Sequence, residues 1–178
     1  MLRIARENTG NIYIIYGSGK GKTTFSIGFM LQNLGSGKRA AMVQFMKGYE
    51  YSESSILASI SQVSFFQTGT PFFVKKGYPS KVDINEARRG LSIAEYLLSD
   101  PAYGVVVLDE INVAADYGLL APDEILAVVA KKQPGITVVL TGRNPPSPFF
   151  KIATLSLEMQ EIKHPFKKGV LSRKGIDY

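Results

Sequence analysis

Apolar residues gather in short runs along the chain, separated by polar and glycine-containing stretches, and the spacing within each run distinguishes strand from helix. After a mixed, polar start that ends in Asn8-Thr9-Gly10, the unbroken run Ile12-Tyr13-Ile14-Ile15-Tyr16 is rich in branched and aromatic side chains and predicts a buried strand. A glycine-rich loop follows it. Ile27, Met30, Leu31 and Leu34 then share one helical face, and Gly35-Ser36-Gly37 ends that helix. Ala40 to Phe45 and Val63 to Phe66 read as a second and a third strand, and Gly69 to Lys81 as a loop rich in Gly and Pro. From Asp83, taken as an N-terminal cap with Glu86 three residues on, Ile84, Ala87, Leu91, Ala94 and Leu98 form a stripe that buries against a sheet.

The run Gly104-Val105-Val106-Val107-Leu108 has no polar face, which suits a strand covered on both sides at the centre of a sheet. Pro122, Asp123 and Glu124 at one end and Lys131-Lys132 at the other match the dipole of a helix near 122 to 132, which Pro134-Gly135 breaks. Ile136 to Thr141 gives another strand. In Thr154 to Gln160, apolar Leu155, Leu157 and Met159 alternate with polar neighbours, the pattern of an edge strand with one wet face. Strands alternating with helices, without repeat or linker, predict one α/β domain over 1–178 with a mostly parallel sheet and a flexible segment at 1–10.

Composition narrows the chemistry. A chain of 178 residues that is 45% hydrophobic and 20% charged can bury a core. The absence of cysteine excludes a disulfide framework, a thiolate nucleophile and a cysteine zinc site, and a single histidine argues against a His-ligated metal or a Ser/His triad. The net charge of +6 fits a polyanionic partner or a solvated basic surface and separates neither. No apolar run is long enough to span a bilayer, and Met1-Leu2-Arg3-Ile4-Ala5-Arg6-Glu7 is too charged for a signal peptide, so a cytoplasmic protein is expected.

The most informative residues stand between the first strand and the first helix: Gly17-Ser18-Gly19-Lys20-Gly21-Lys22-Thr23-Thr24. Glycines let backbone N–H groups surround an anion, the helix N-terminus adds its positive end, Lys22 supplies a point charge, and the Thr23 hydroxyl can ligate Mg²⁺. A nucleoside triphosphate is the expected occupant, with Ser18 to Thr24 as its binding residues. The bland alternative is a Gly/Lys-rich surface turn. The common pattern has four residues between the first glycine and Gly-Lys, whereas three separate Gly17 from Gly21, and Tyr16 stands where that glycine would be. A tighter loop with an extra lysine, Lys20, need not expose the γ-phosphorus to attack. Asp109 and Glu110 end the central strand, beyond whose carboxyl end such sheets place their ligands, so one of them should face the metal on Thr23. The plainer alternative is that one of them caps the next segment. In an ATPase Glu110 could position water; in other chemistry it would only hold metal.

Asp109-Glu110-Ile111-Asn112-Val113-Ala114, Asp116-Tyr117-Gly118-Leu119-Leu120, Leu140-Thr141-Gly142-Arg143-Asn144, Lys163-His164-Pro165-Phe166 and Lys174-Gly175-Ile176-Asp177-Tyr178 together resemble the P-loop corrinoid adenosyltransferases. Gly19-Lys20-Gly21-Lys22-Thr23-Thr24 and Val43-Gln44-Phe45-Met46-Lys47-Gly48 are similar to that family too, so the resemblance covers almost the whole chain. It implies a RecA-like fold, a homodimer, and transfer of the 5′-deoxyadenosyl group of ATP to Co(I) of a reduced corrinoid with release of triphosphate. It implies ATP held in reverse, with C5′ presented to the nucleophile, which accounts for the short loop.

The attacking group would be the substrate's own metal, so no protein base or thiol is required. Lys22 and Glu110 are then the catalytic candidates, in electrostatic and positional roles, with Mg²⁺ or Mn²⁺ held by Thr23, Asp109 and Glu110. The resemblance also implies a Co(II) corrinoid stripped of its lower ligand by aromatic side chains, for which Phe72 and Phe73 are the candidates; ordinary core is the other reading. The chain has Gly69-Thr70-Pro71-Phe72 where members often carry Gly-Phe-Thr-Trp, and it lacks tryptophan. With no cysteine or flavin motif, electrons should come from an external donor such as a reduced flavoprotein. About ten residues precede the first strand, so no lid over the corrin is expected from that end.

Arg143 and Asn144, like Gln44 and Lys47, follow strand ends; for Arg143 and Asn144, ligand contact and turn chemistry both fit. His164 reads as a surface or packing residue, and Lys174 to Tyr178 as a tail that only the resemblance brings near the site. Cations and rings in Phe72-Phe73-Val74-Lys75-Lys76-Gly77-Tyr78 also suit single-stranded nucleic acid. That leaves a RecA-like, nucleic-acid-stimulated ATPase as the alternative function, ranked below the transferase, and a nucleotide-binding regulator without turnover as a third.

Overall fold

The structure, a computed structural model, describes residues 10–49, 51–163, 169, 173 and 175. Six parallel strands run in the order β3-β2-β4-β5-β1-β6: β1 Ile12–Tyr16, β2 Arg39–Gln44, β3 Val63–Gln67, β4 Tyr103–Asp109, β5 Thr137–Gly142 and β6 Leu155–Glu158. Helices α1 Lys22–Gly35, α2 Ser52–Ser59, α3 Lys81–Leu98, α4 Ile111–Asp116, α5 Pro122–Ala130 and α6 Ser147–Ile152 make the crossovers. Alternate residues of the same strands feed opposite layers. Ala41, Val43, Val106, Leu108, Val138 and Leu140 meet α3, α5 and Phe149 of α6, while Ala40, Met42, Val105, Val107 and Val139 meet Met30 of α1 and Leu57 of α2. Every residue of β4 is buried and β6 lies at an edge, where an unbroken apolar run and an alternating one respectively belong.

Parallel register brings the carboxyl ends of the strands to one rim of the sheet. Gln44 of β2 stands opposite Asp109 of β4, Leu108 opposite Leu140 of β5, and Tyr16 of β1 opposite Gly142 of β5. The phosphate loop, the acidic pair and Thr141 therefore open onto the same rim.

Three elements were not expected from the sequence: α2, α4 and α6, of 8, 6 and 6 residues. None is long enough to show a stripe of its own; α2 buries only Ser54 and Leu57. The start of α3 also differs from expectation. Ser80, not Asp83, is the cap: its Oγ accepts from the Asp83 N–H at 3.2 Å, and an Asp83 carboxylate oxygen accepts from the Ser80 N–H at 3.0 Å. Serine followed three residues later by an acid is itself a reciprocal capping pair, which moves the helix start upstream. Glu86 is left to accept from the Gly69 N–H at 3.2 Å and from Arg89, whose Nη2 also donates to the Gln67 carbonyl at 2.9 Å. These bonds tie the loop after β3 to α3. At Gly90 the helix approaches so closely that a Cβ would stand 2.7 Å from both Phe45 and Thr68. Among the described residues no helix is long and apolar enough to cross a membrane.

Candidate functional site

The phosphate loop turns through two left-handed glycines, Gly17 at φ 106° and Gly21 at φ 103°, and Gly21 leads directly into α1. Its middle is committed to the protein. The Gly19 N–H donates to the Met159 carbonyl at 2.6 Å, and a Cβ on Gly19 would lie 2.7 Å from that oxygen and 2.8 Å from the Gln160 carbonyl. The shortened loop thus rests on the chain leaving β6, and one of its amides is unavailable to an anion. Lys22 reaches back over the loop, its Nζ donating to the carbonyls of Gly17 at 2.9 Å and Gly19 at 2.8 Å. Burial lowers the Lys22 pKa from 10.5; Glu110 opposes the shift, Arg143 adds to it, and Asp109 opposes it.

Asp109 has no solvent exposure and accepts from four side chains. Thr23 Oγ1 donates to Oδ1 at 3.0 Å and Thr141 Oγ1 donates to Oδ1 at 2.6 Å, while Gln44 Nε2 reaches Oδ2 at 3.1 Å and Lys47 Nζ reaches it at 2.8 Å. Burial pulls the Lys47 ammonium down. The charge and hydrogen bond of Asp109, with Glu110 and Glu53 behind them, outweigh burial and hold it above its ordinary 10.5.

Glu110 adopts a left-handed φ of 62°, costly for a residue with a Cβ, and its N–H donates to Thr141 Oγ1 at 2.9 Å. Thr141 therefore bridges both acidic residues. Burial first, then the Asp109 charge, raises the Glu110 pKa from 4.5 against the pull of Lys47, Lys22 and Arg143. With the folded value above the unfolded one, folded protein keeps a proton that the unfolded chain has lost, so stability falls as pH rises from about 4.5 through the folded pKa. In metal-free buffer, Glu110→Gln should therefore be more stable than the parent at pH 7.5, and the difference should vanish below about pH 4. Urea unfolding midpoints at the two pH values check this; a variant no more stable at pH 7.5 would refute it.

A cavity of about 540 Å³ opens above this cluster, lined by Lys20, Gly21, Lys22, Thr23 and Thr24 from the loop side and by Lys47, Tyr51, Glu53, Ile56, Glu110 and Gly175 opposite. A second, of about 110 Å³, is lined by Met46, Lys47, Gly48, Tyr49, Tyr51, Thr70, Pro71, Phe72 and Phe73. The two share Lys47 and Tyr51, and the Lys47 ammonium lies 4.8 Å from the centre of the Tyr51 ring. Phe72 is 79% exposed and Phe73 wholly so, which removes the reading of these rings as ordinary core.

Of the residues singled out by sequence, Lys20 to Thr24, Gln44, Lys47, Asp109 and Glu110 converge, and Arg143 acts on Lys22 and Glu110 through its charge. Ser18 is exposed, and neither it nor Gly19 lines the cavity. Asn144 turns elsewhere: its Nδ2 donates to Asp116 at 3.1 Å, which also takes Lys76 Nζ on both oxygens at 2.7 Å. That cluster belongs to the joint between loops. It also engages Lys76, while Lys75 stands over the Tyr78 ring at 5.1 Å, so both lysines of the stretch read as suited to nucleic acid have local partners. Thr141, Tyr51 and Met159 were missed. For Thr141 a signal existed, a hydroxyl at the end of an apolar strand; for the others none did. His164 lies outside the described residues, as do residues 1–9 and all of the final Lys174 to Tyr178 except Gly175, which lines the larger cavity.

Comparison with known proteins adds what geometry alone does not. Residues 8–178 match the family model described as ATP:corrinoid adenosyltransferase BtuR/CobO/CobP. The chain belongs to the ATP:corrinoid adenosyltransferase family. It is 33% identical over 176 residues to a corrinoid adenosyltransferase of Pseudomonas aeruginosa, covering 98% of this chain and 86% of the relative. To the corrinoid adenosyltransferase CobA of Salmonella typhimurium it is 31% identical over 179 residues, covering 98% and 88%. Membership makes the protein a transferase and displaces the nucleic-acid-stimulated ATPase reading. For this adenosyltransferase the α/β P-loop fold is the one the family resemblance implied.

Proposed function

We propose that the chain holds the triphosphate of ATP in the larger cavity as a leaving group and presents C5′ to Co(I) of a reduced corrinoid lying over the aromatic cavity. The cobalt electron pair forms the Co–C bond, the C5′–O bond breaks, and triphosphate departs with that bond's electrons. The junction of the two cavities at Lys47 and Tyr51 is the observation that carries this reading. A hydrolase needs room for one water; two cavities with a common wall, one cationic and one aromatic, suit two organic substrates.

Of the residues expected to bind ATP, Lys20, Gly21, Lys22, Thr23 and Thr24 line the cavity and are the proposed contacts, with Lys22 the main point charge on the departing group, while Ser18 and Gly19 shape the loop behind them. The hard oxygens of Thr23, Asp109 and Glu110 fit Mg²⁺ or Mn²⁺, which takes few protein ligands and leaves the remainder to phosphate and water. Bound there, the ion would supply positive charge to the leaving triphosphate. Gln44 and Thr141 orient Asp109, and Arg143 adds charge behind Lys22. The protein would act as a cytoplasmic homodimer and a single P-loop domain, taking electrons from an external donor such as a reduced flavoprotein.

Phe72 and Phe73, exposed here, would be covered by the corrin and exclude its lower ligand. Covering one such ring is worth about 1.5–3 kcal/mol. Phe72→Ala should therefore slow conversion of Co(II) corrinoid by roughly 10–100-fold while leaving the thermal midpoint almost unchanged. Unchanged conversion would remove the ring from the corrin face. The test of the whole reading is incubation of the protein with MgATP and chemically reduced cobalamin, following the corrin spectrum and identifying the phosphate product. Triphosphate with an alkylcobalamin spectrum is expected; ADP with phosphate would overturn it.

A further inference from the structure

Lys47 is placed with unusual definition for a lysine on a loop. Met46, two residues beyond β2, adopts a left-handed φ of 56°, turning the chain so that the Lys47 N–H donates to the Thr68 carbonyl at 3.1 Å. Gly69 packs so tightly there that a Cβ would come within 2.7 Å of the Lys47 nitrogen. The side chain then runs past the Tyr51 ring to end on Asp109 Oδ2, at 12% exposure. Of that carboxylate's oxygens, Oδ1 accepts from two side chains and Oδ2 from three, since Thr23 Oγ1 also reaches Oδ2 at 3.3 Å.

Gln44 and Thr141 are wholly buried, and Thr23 is itself a proposed metal ligand. Lys47 is the donor among the four that carries a charge. A divalent cation and an ammonium cannot share Oδ2, because two positive charges a few ångströms apart in a partly dry site repel strongly. We infer that Lys47 is the placeholder cation of this site: its ammonium holds the place on Asp109 Oδ2 that the divalent ion of metal–ATP takes, and gives up that place on binding. This rests on the metal–ATP reading above. Lys47 lines the triphosphate cavity, so the freed ammonium stays beside the anionic substrate, and the carboxylate is never left without a counter-charge. Free metal without nucleotide is thereby disfavoured, and the metal arrives with ATP.

The test is titration of the full chain, without nucleotide, with Mn²⁺ alone, followed by electron paramagnetic resonance. The parent should bind free Mn²⁺ at least tenfold more weakly than Lys47→Met and Lys47→Gln, the latter keeping a hydrogen-bond donor should the former fold poorly. Lys47→Arg should behave as the parent. So should Lys131→Met, which removes an exposed lysine paired with Glu95 and lining neither cavity. Neutral variants that bind Mn²⁺ no tighter than the parent, or an equal gain in Lys131→Met, would overturn the assignment. So would a parent that binds Mn²⁺ as tightly without ATP as with it. Failure to alkylate reduced cobalamin would refute the proposed function and leave these Mn²⁺ results readable on their own.

Discussion

Lys22→Ala should lower the rate of adenosylcobalamin formation by roughly 10²–10³-fold, the loss seen when one preorganised charge is removed from a developing anion. The fold should survive. Lys22 is a largely buried cation whose desolvation already depresses its pKa, and its partners are two loop carbonyls at the wall of an open cavity, where water can replace the ammonium. Unfolding free energy should change by no more than about 1 kcal/mol. Initial rates with chemically reduced cobalamin, paired with urea unfolding, separate the two effects. Near-normal turnover in a folded variant would show that another group carries the charge of the leaving triphosphate.

Asp109→Asn should damage both activity and stability. An amide has the shape of the carboxylate but replaces one acceptor by a donor, which must then face Thr23 and Thr141 or Gln44 and Lys47. Facing Gln44 and Lys47 the amide sets donor against donor; facing the threonines it makes both hydroxyls turn round and accept; and in either orientation Lys47 loses its counter-charge in a site with no solvent exposure. Removing one member of such a pair costs about 3 kcal/mol, equivalent to a fall in thermal midpoint of roughly 6–12 °C for a chain of this size. Adenosylation should fall by at least roughly 10²-fold, because the proposed metal loses an anionic ligand. Thermal melts and initial rates measure both. A variant with the parent's melting temperature would mean that the four contacts contribute little to folding.

Legibility of the site followed distance along the chain. The strand at 12–16, the loop to Thr24, and Asp109-Glu110 at the end of an apolar run could be read from windows of a few residues, and the structure has them on the elements expected. Gln44 and Lys47 could be ranked only as strand-end candidates. Their bonds to Asp109 join residues 65 and 62 apart, created by the pairing of β2 with β4. Asn144 looked equivalent to Arg143, yet one turns to Asp116 and the other faces Lys22 and Glu110 by charge. Adjacent residues leaving a strand point in different directions, and sequence carries no sign of which faces the cavity.

By itself the amino-acid sequence determined which segments are strand and long helix, because burial on one face or two imposes a period on side chains, and it determined that a short glycine–lysine loop stands before an acidic pair. The tertiary structure alone decided the strand order β3-β2-β4-β5-β1-β6, the seating of Gly19 on Met159, and the meeting of two cavities at Lys47 and Tyr51. Periodicity is a local property of the chain. Which hydroxyl, amide and ammonium converge on one buried carboxylate is fixed by register between strands distant in sequence, where packing, and not propensity, makes the choice.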